Sequence, residues 1–195
     1  MKTGILGGTF DPPHMGHILL AKNAKAQLGL DRVVLLPSAN PPHKKALTSG
    51  EHRLKMAELV AGEYGFEMCD AEYKKTTPSY TIEIIDMLKG IYNGDKIYFI
   101  VGGDSMLNFE KWYKWQELIT KCAFAVGVRT SGEREQLRTF IDGKNKNCGA
   151  EIYLLDSLAH EVSSTEIRSG KNVQEIPPCI IGYIREHSLY EGLII

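Results

Sequence analysis

Near one end of this sequence, Gly7-Gly8-Thr9-Phe10-Asp11-Pro12-Pro13-His14-Met15-Gly16-His17 brings together groups suited to binding phosphate. Two adjacent glycines let the backbone approach an anion without side-chain interference. A helix starting just beyond them would add free N–H groups and the positive end of its dipole. His14 and His17 are three residues apart, so on a helix they share a face, with Cβ atoms about 5–6 Å apart. Together they could grip a triphosphate. A solitary histidine at a helix start more often caps or packs it, but here the whole cluster directly follows a strand pattern, Thr3 to Leu6.

Four further segments carry chemistry. In Val162-Ser163-Ser164-Thr165-Glu166-Ile167-Arg168 the hydroxyls and the planar fork of Arg168 suit phosphate oxygens. The same S-S-T-E run is also a good helix start with an acid in its first turn, and the two readings are compatible. Asp104, in Gly102-Gly103-Asp104-Ser105, could accept hydrogen bonds from a ribose or cap the helix that follows. Pro41-Pro42-His43-Lys44 offers a ring donor and a compact positive charge on a loop, a place where function concentrates although most such loops are plain surface turns. Trp112 and Tyr113 make a fourth, aromatic segment, while Trp115 is expected in the core.

Strand-length apolar runs recur at 3–6, 32–37, 66–69, 96–101, 123–128 and 152–155, separated by helical periodicity at 16–28, 50–64, 80–89, 115–121 and 133–141. Thr48 with Glu51 reads as a capping box for the second helix, and Ser79 as the cap of the third. Such alternation predicts an α/β fold, a doubly wound parallel sheet, because parallel strands need crossovers of this length. Ligands of such sheets bind beyond the carboxyl ends of the strands, where the glycine-rich segments fall. Gly143 to Gly149 (GKNKNCG) reads as a surface loop, and Pro177-Pro178 opens a helical segment carrying Tyr183, His187 and Tyr190. The 195 residues are expected to form one domain, with the C-terminal helical segment from about 163 to 195 packed on it.

With 23 Lys+Arg against 24 Asp+Glu and a net charge of -1, a dedicated nucleic-acid binder is not expected, and any anion must be held by a local site. Cys69, Cys122, Cys148 and Cys179 are scattered, without zinc-ligand spacing, and are expected mostly to fill core. No apolar run reaches membrane-spanning length and no secretory leader pattern is present, so the expected compartment is the cytoplasm, without a membrane partner.

The GGTFDPPHMGH and VSSTEIR motifs resemble those of nucleotidyltransferases that carry an H-x-G-H signature in a Rossmann-like fold, and most closely the bacterial nicotinate-mononucleotide adenylyltransferases. The resemblance spans residue 2 to about 191. It implies transfer of AMP from ATP to nicotinate mononucleotide, releasing pyrophosphate and forming deamido-NAD. It further implies ATP contacts from Gly7, Gly8, Thr9, Phe10, His17, Ser163, Ser164, Thr165 and Arg168, with His14, His17, Lys44 and Arg168 catalytic. The mononucleotide would meet His43, Lys44, Thr81, Gly102, Asp104, Trp112 and Tyr113. Gly103 departs from a family segment that commonly reads Gly-Ala-Asp, a small change. Mg2+ is expected on the ATP phosphates, with no dedicated protein metal site. An acceptor such as phosphopantetheine, a cytidylyl rather than adenylyl group, or a non-catalytic nucleotide sensor would share the same H-x-G-H logic, and homo-oligomerisation is left open.

Overall fold

Strand β4 (Lys96–Gly102, KIYFIVG) is buried along its middle and β5 (Ala123–Val128) along its whole length. Unbroken burial is what a parallel strand covered on both faces requires, and it explains why these stretches are apolar without alternation. A computed structural model describes residues 1–39, 48–74, 80–128, 130–158 and 162–193. With β1 (Lys2–Gly8), β2 (Arg32–Pro37), β3 (Glu67–Met68) and β6 (Ile152–Leu158), these strands form a six-stranded parallel sheet of order β3-β2-β1-β4-β5-β6. The order reverses its direction of winding at β1 and β4, which makes this the doubly wound, Rossmann-like arrangement read from the sequence. Helices α1 (Met15–Leu28), α2 (Gly50–Tyr64), α3 (Thr81–Ile91), α4 (Gly103–Leu107), α5 (Trp115–Lys121), α6 (Ser131–Cys148), α7 (Ser164–Arg168) and α8 (Pro178–Glu186) complete the chain.

The backbone clusters into two compact units, each assembled from three stretches of chain. The first comprises Met1–Leu6, Leu20–Val33 and Ser79–Ala159. Its core holds Phe99, Phe109 and Phe124, with the rings of Phe109 and Phe124 edge to face at 5.1 Å. Gly127 in β5 sits under Leu20 of α1, whose Cδ1 occupies the space that any Cβ there would need. Helix α6 is pinned to β6 by Asn145, whose amide donates to the Ile152 carbonyl and accepts from the Ile152 N–H, both at 3.0 Å.

The second unit comprises Gly7–Leu19, Val34–Pro78 and His160–Ile195. Helix α2 packs against α8, burying Met56, Val60, Ile180 and Ile184. Helix α2 ends in a left-handed cap at Gly65 (φ 67°) whose N–H returns to the Ala61 carbonyl. Pro178 opens α8 at a position where its missing N–H costs nothing.

Several sequence expectations are corrected. GKNKNCG is not a loop: its first six residues are the last turns of α6 and its final glycine is the left-handed C-cap (φ 63°), because Asn145 and Lys144 anchor a segment whose composition disfavours helix. The cap of α2 is Ser49, accepting from the His52 N–H, one residue after the expected Thr48. Gly7 and Gly8 are the last residues of β1, two positions beyond the strand end read from the sequence. Helix α3 begins at Thr81 with Tyr80 in the cap position, and Ser79 lies outside the described residues. Trp115 is half-buried with Lys144 Nζ 4.3 Å over its ring. Cys69 is buried and the other three cysteines are half-buried, and all four are free thiols.

Candidate active site

Within the second unit, the segment after β1 turns sharply. Phe10 adopts φ 50°, a strained value for a bulky residue, and its ring is buried against the position a Gly8 side chain would take, 3.1 Å from a Cβ built there. A side chain at Gly8 would press on the Phe10 ring, and Phe10 in turn meets His17 edge to face at 4.9 Å. His14 is buried and lies just before α1, and its carbonyl accepts the His17 N–H at 2.9 Å. The two imidazoles stack at 3.7 Å, closer than two separate residues on a helix face. Gly16 permits this packing: a Cβ there would lie 2.9 Å from Val162 Cγ1 and 3.0 Å from His14 Nδ1.

The His14 N–H donates to His17 Nδ1 at 3.2 Å. A ring nitrogen that accepts an N–H carries no proton in the neutral imidazole, so the proton of His17 sits on Nε2. In the neutral, half-buried His17 this bond fixes the tautomer, with Nε2 as the donor.

The V-S-S-T-E-I-R motif folds as the helix start that one of its two readings expected. Ser163 and Glu166 form a complete capping box at the start of α7. The Ser163 hydroxyl is engaged with Glu166, and the Ser164 hydroxyl donates to the Pro12 carbonyl at 2.9 Å. Arg168 donates Nη1 to the Asp11 carbonyl at 2.6 Å and Nη2 to Thr165 Oγ1 at 3.2 Å. The second motif is thereby tied directly to the histidine segment, and Arg168 Nη1 also lies 4.0 Å from the Asp11 carboxylate.

Two residues that carried no motif signal also converge here. Arg53, on the first turn of α2 and 2% exposed, donates to the carbonyls of Thr9, Ser38, Ala39 and Thr48. Tyr190 donates its hydroxyl to the buried Asp11 carboxylate at 2.7 Å, and burial pushes its phenol well above the usual range. A cavity of about 410 Å³ lies beside them, bordered by Thr48, Ser49, His52, Arg168 and Tyr190. The buried arginine was foreseeable only as a charged residue on an apolar helix face. Tyr190 gave no such signal.

In the first unit, Gly102 caps α4 and Asp104 lies exposed in its first turn, so Asp104 is inside the helix rather than its cap. Gly103 is less neutral than expected: a Cβ there would lie 2.7 Å from both Glu133 Cδ and the buried Leu137 Cδ1. Thr81 begins α3, half-buried. Trp112 lies tilted against Phe109 at 5.2 Å and edge-on to Phe99 at 6.5 Å, while Tyr113 is exposed and lies 4.4 Å from the ring of Tyr80. His43 and Lys44 lie outside the described residues. Among the described residues no three His, Cys, Asp or Glu side chains are grouped to hold a metal ion, and no helix is long and apolar enough to cross a membrane.

A parallel doubly wound sheet with a stacked H-x-G-H pair after its first strand defines a class. The cytidylyltransferase-like family model matches residues 5–170, most of the chain, which makes this a nucleotidyltransferase of that family. A protein of Shewanella pealeana named "Probable nicotinate-nucleotide adenylyltransferase" is 37% identical, the match covering 98% of this chain and 97% of the relative. One of the same name from Shewanella frigidimarina is also 37% identical, over 97% of this chain and all of the relative. The chain belongs to the nicotinate-nucleotide adenylyltransferase family. Its fold is shared with solved structures of Plasmodium falciparum nicotinic acid mononucleotide adenylyltransferase, one complexed with NaAD (TM-score 0.77, 18% identity, 98% of both chains) and one with APC (TM-score 0.74, 18% identity, 97% of both).

Proposed function

We propose that this enzyme transfers AMP from ATP to nicotinate mononucleotide, giving deamido-NAD and pyrophosphate in NAD biosynthesis. A phosphate oxygen of the mononucleotide attacks the ATP α-phosphorus, a new P–O bond forms, and the bond to the β-phosphate oxygen breaks as pyrophosphate departs. The nucleophile is already anionic near neutral pH, so catalysis is positioning and charge stabilisation rather than base generation. The observation that carries the reading is the His14–His17 stack, whose hydrogen bond leaves a directed N–H on His17. That donor suits an α- or β-phosphate oxygen whose charge grows as the bond breaks.

In this reading His14 supports His17 and meets the same phosphates, and Gly7, Gly8, Thr9 and Phe10 line the nucleotide. Arg168 holds the β- and γ-phosphates with the donors that Asp11 and Thr165 leave unused. The engaged hydroxyls of Ser163 and Ser164 indicate that these two, with Thr165, shape the ATP site more than they grip phosphate. Lys44 and His43 neutralise the incoming mononucleotide phosphate, Asp104 with Gly102 receives its ribose, and Thr81, Trp112 and Tyr113 receive the nicotinate. Imidazole and guanidinium donors would meet the same phosphates that carry Mg2+, which would neutralise triphosphate charge from phosphate oxygens and water. We read residues 1–195 as one catalytic domain working in the cytoplasm on soluble substrates, without nucleic acid or membrane.

The test offers ATP and Mg2+ with nicotinate mononucleotide, nicotinamide mononucleotide or phosphopantetheine in parallel, following pyrophosphate. Release is expected with the nicotinate acid and far less with the other two. Preferential use of phosphopantetheine, or no release with any acceptor, overturns the assignment.

A further inference from the structure

Arg53 is among the largest fully buried side chains, yet it carries a charge. Among the described residues its hydrogen bonds all go to main-chain carbonyls: Nη1 to Thr9 at 3.1 Å and Ser38 at 2.5 Å, Nη2 to Ala39 at 2.9 Å, and Nε to Thr48 at 3.3 Å. These carbonyls belong to three separate stretches: the turn after β1, the chain leaving β2, and the residues entering α2. A buried cation is costly unless its donors are met, and here one planar fork reaches four carbonyls at once. Neither a lysine, with a single nitrogen, nor a glutamine, with two donors, could span the same acceptors.

The geometry has a direct consequence at the phosphate turn. In a trans peptide the C=O and N–H point in opposite directions. Because Arg53 holds the Thr9 carbonyl, the N–H of Phe10 is turned to the other side of the peptide plane, away from the guanidinium. The same hydrogen bond fixes the turn in which Phe10 takes φ 50°, and the Phe10 ring seats His17. We infer that Arg53 is a positioning residue for adenylyl transfer, setting the turn that orients Phe10 and, through its ring, His17, without touching substrate itself. This rests on the role proposed above for His17.

Arg53→Lys keeps the charge and loses the fork; Arg53→Gln loses both. Each is measured as folded enzyme, checked by circular dichroism and cooperative melting, with kcat and KM for both substrates and calorimetric binding of a non-hydrolysable ATP analogue. A positioning role predicts that kcat falls about 10- to 100-fold in both variants while analogue affinity changes far less, since misplacement of a catalytic group penalises the transition state. Lysine restoring the wild-type kcat would show that charge alone matters and overturn the inference, as would an unchanged kcat in Arg53→Gln. If either variant loses cooperative melting, Phe10→Gly replaces it: the glycine accepts the positive φ but removes the ring that seats His17, and a wild-type kcat there overturns the inference. These outcomes are read only against active wild-type enzyme. Wild type that releases no pyrophosphate with nicotinate mononucleotide refutes the proposed function instead.

Discussion

His17 owes its directed donor to one backbone N–H three residues earlier, and that bond was not visible in residue spacing. The type and placement of the histidines, the glycine between them and the arginine of the second motif were all legible, because local chemistry explains them. Arg53 and Tyr190 were not, since their partners lie 44 and 179 positions away along the chain. His17→Ala is expected to leave the melting temperature close to wild type and to lower kcat by two to three orders of magnitude, as loss of a donor aimed at developing charge does; pyrophosphate release on the folded variant checks this. Tyr190→Phe removes the hydroxyl that the buried Asp11 carboxylate accepts, a loss of about 1.5–3 kcal/mol for a hydrogen bond to a charged group, measured by denaturant unfolding. Because the phenol is held above its ordinary value, the native state favours its protonated form. Its contribution is complete below the unfolded phenol's pKa and lost as the solution is made more alkaline than the folded value.

At the scale of elements, strand positions were readable because burial on both faces demands continuous apolar runs, as in KIYFIVG. The failures lie where tertiary anchoring overrides propensity. Residues 143–148, rich in glycine and asparagine, are helical because Asn145 holds both polar groups of Ile152 and Lys144 pairs with Glu110. Asn145→Ala should therefore cost about 1–3 kcal/mol, more than a surface helix substitution, since it leaves two part-buried backbone groups unmet; chemical denaturation reads this directly. Restoring the commoner alanine at Gly103 is expected to destabilise this chain, because Glu133 and Leu137 occupy the space, whereas the sequence alone suggested a neutral exchange. A lowered melting temperature in Gly103→Ala is the check.

For the whole molecule, the near balance of charge argues for local anion binding but says nothing about where charges pair. Asp95 is one such pairing: hydrogen bonds from Thr3 and Arg32 hold its carboxyl at about 2, below the ordinary 3.8. A depressed folded value means the stabilisation is full above the unfolded pKa and lost as pH falls from about 4 through 2. Asp95→Asn should accordingly melt lower than wild type at neutral pH, with the gap closing toward pH 2. The bond between Tyr190 and Asp11 has a different consequence, in time. A chain made from its N-terminus onward contains the histidine turn early, but the Tyr190 hydroxyl can reach Asp11 only after residue 190 has been made. Chains cut short of that residue are expected to hold Asp11 by one hydrogen bond fewer, which a lowered unfolding midpoint would show.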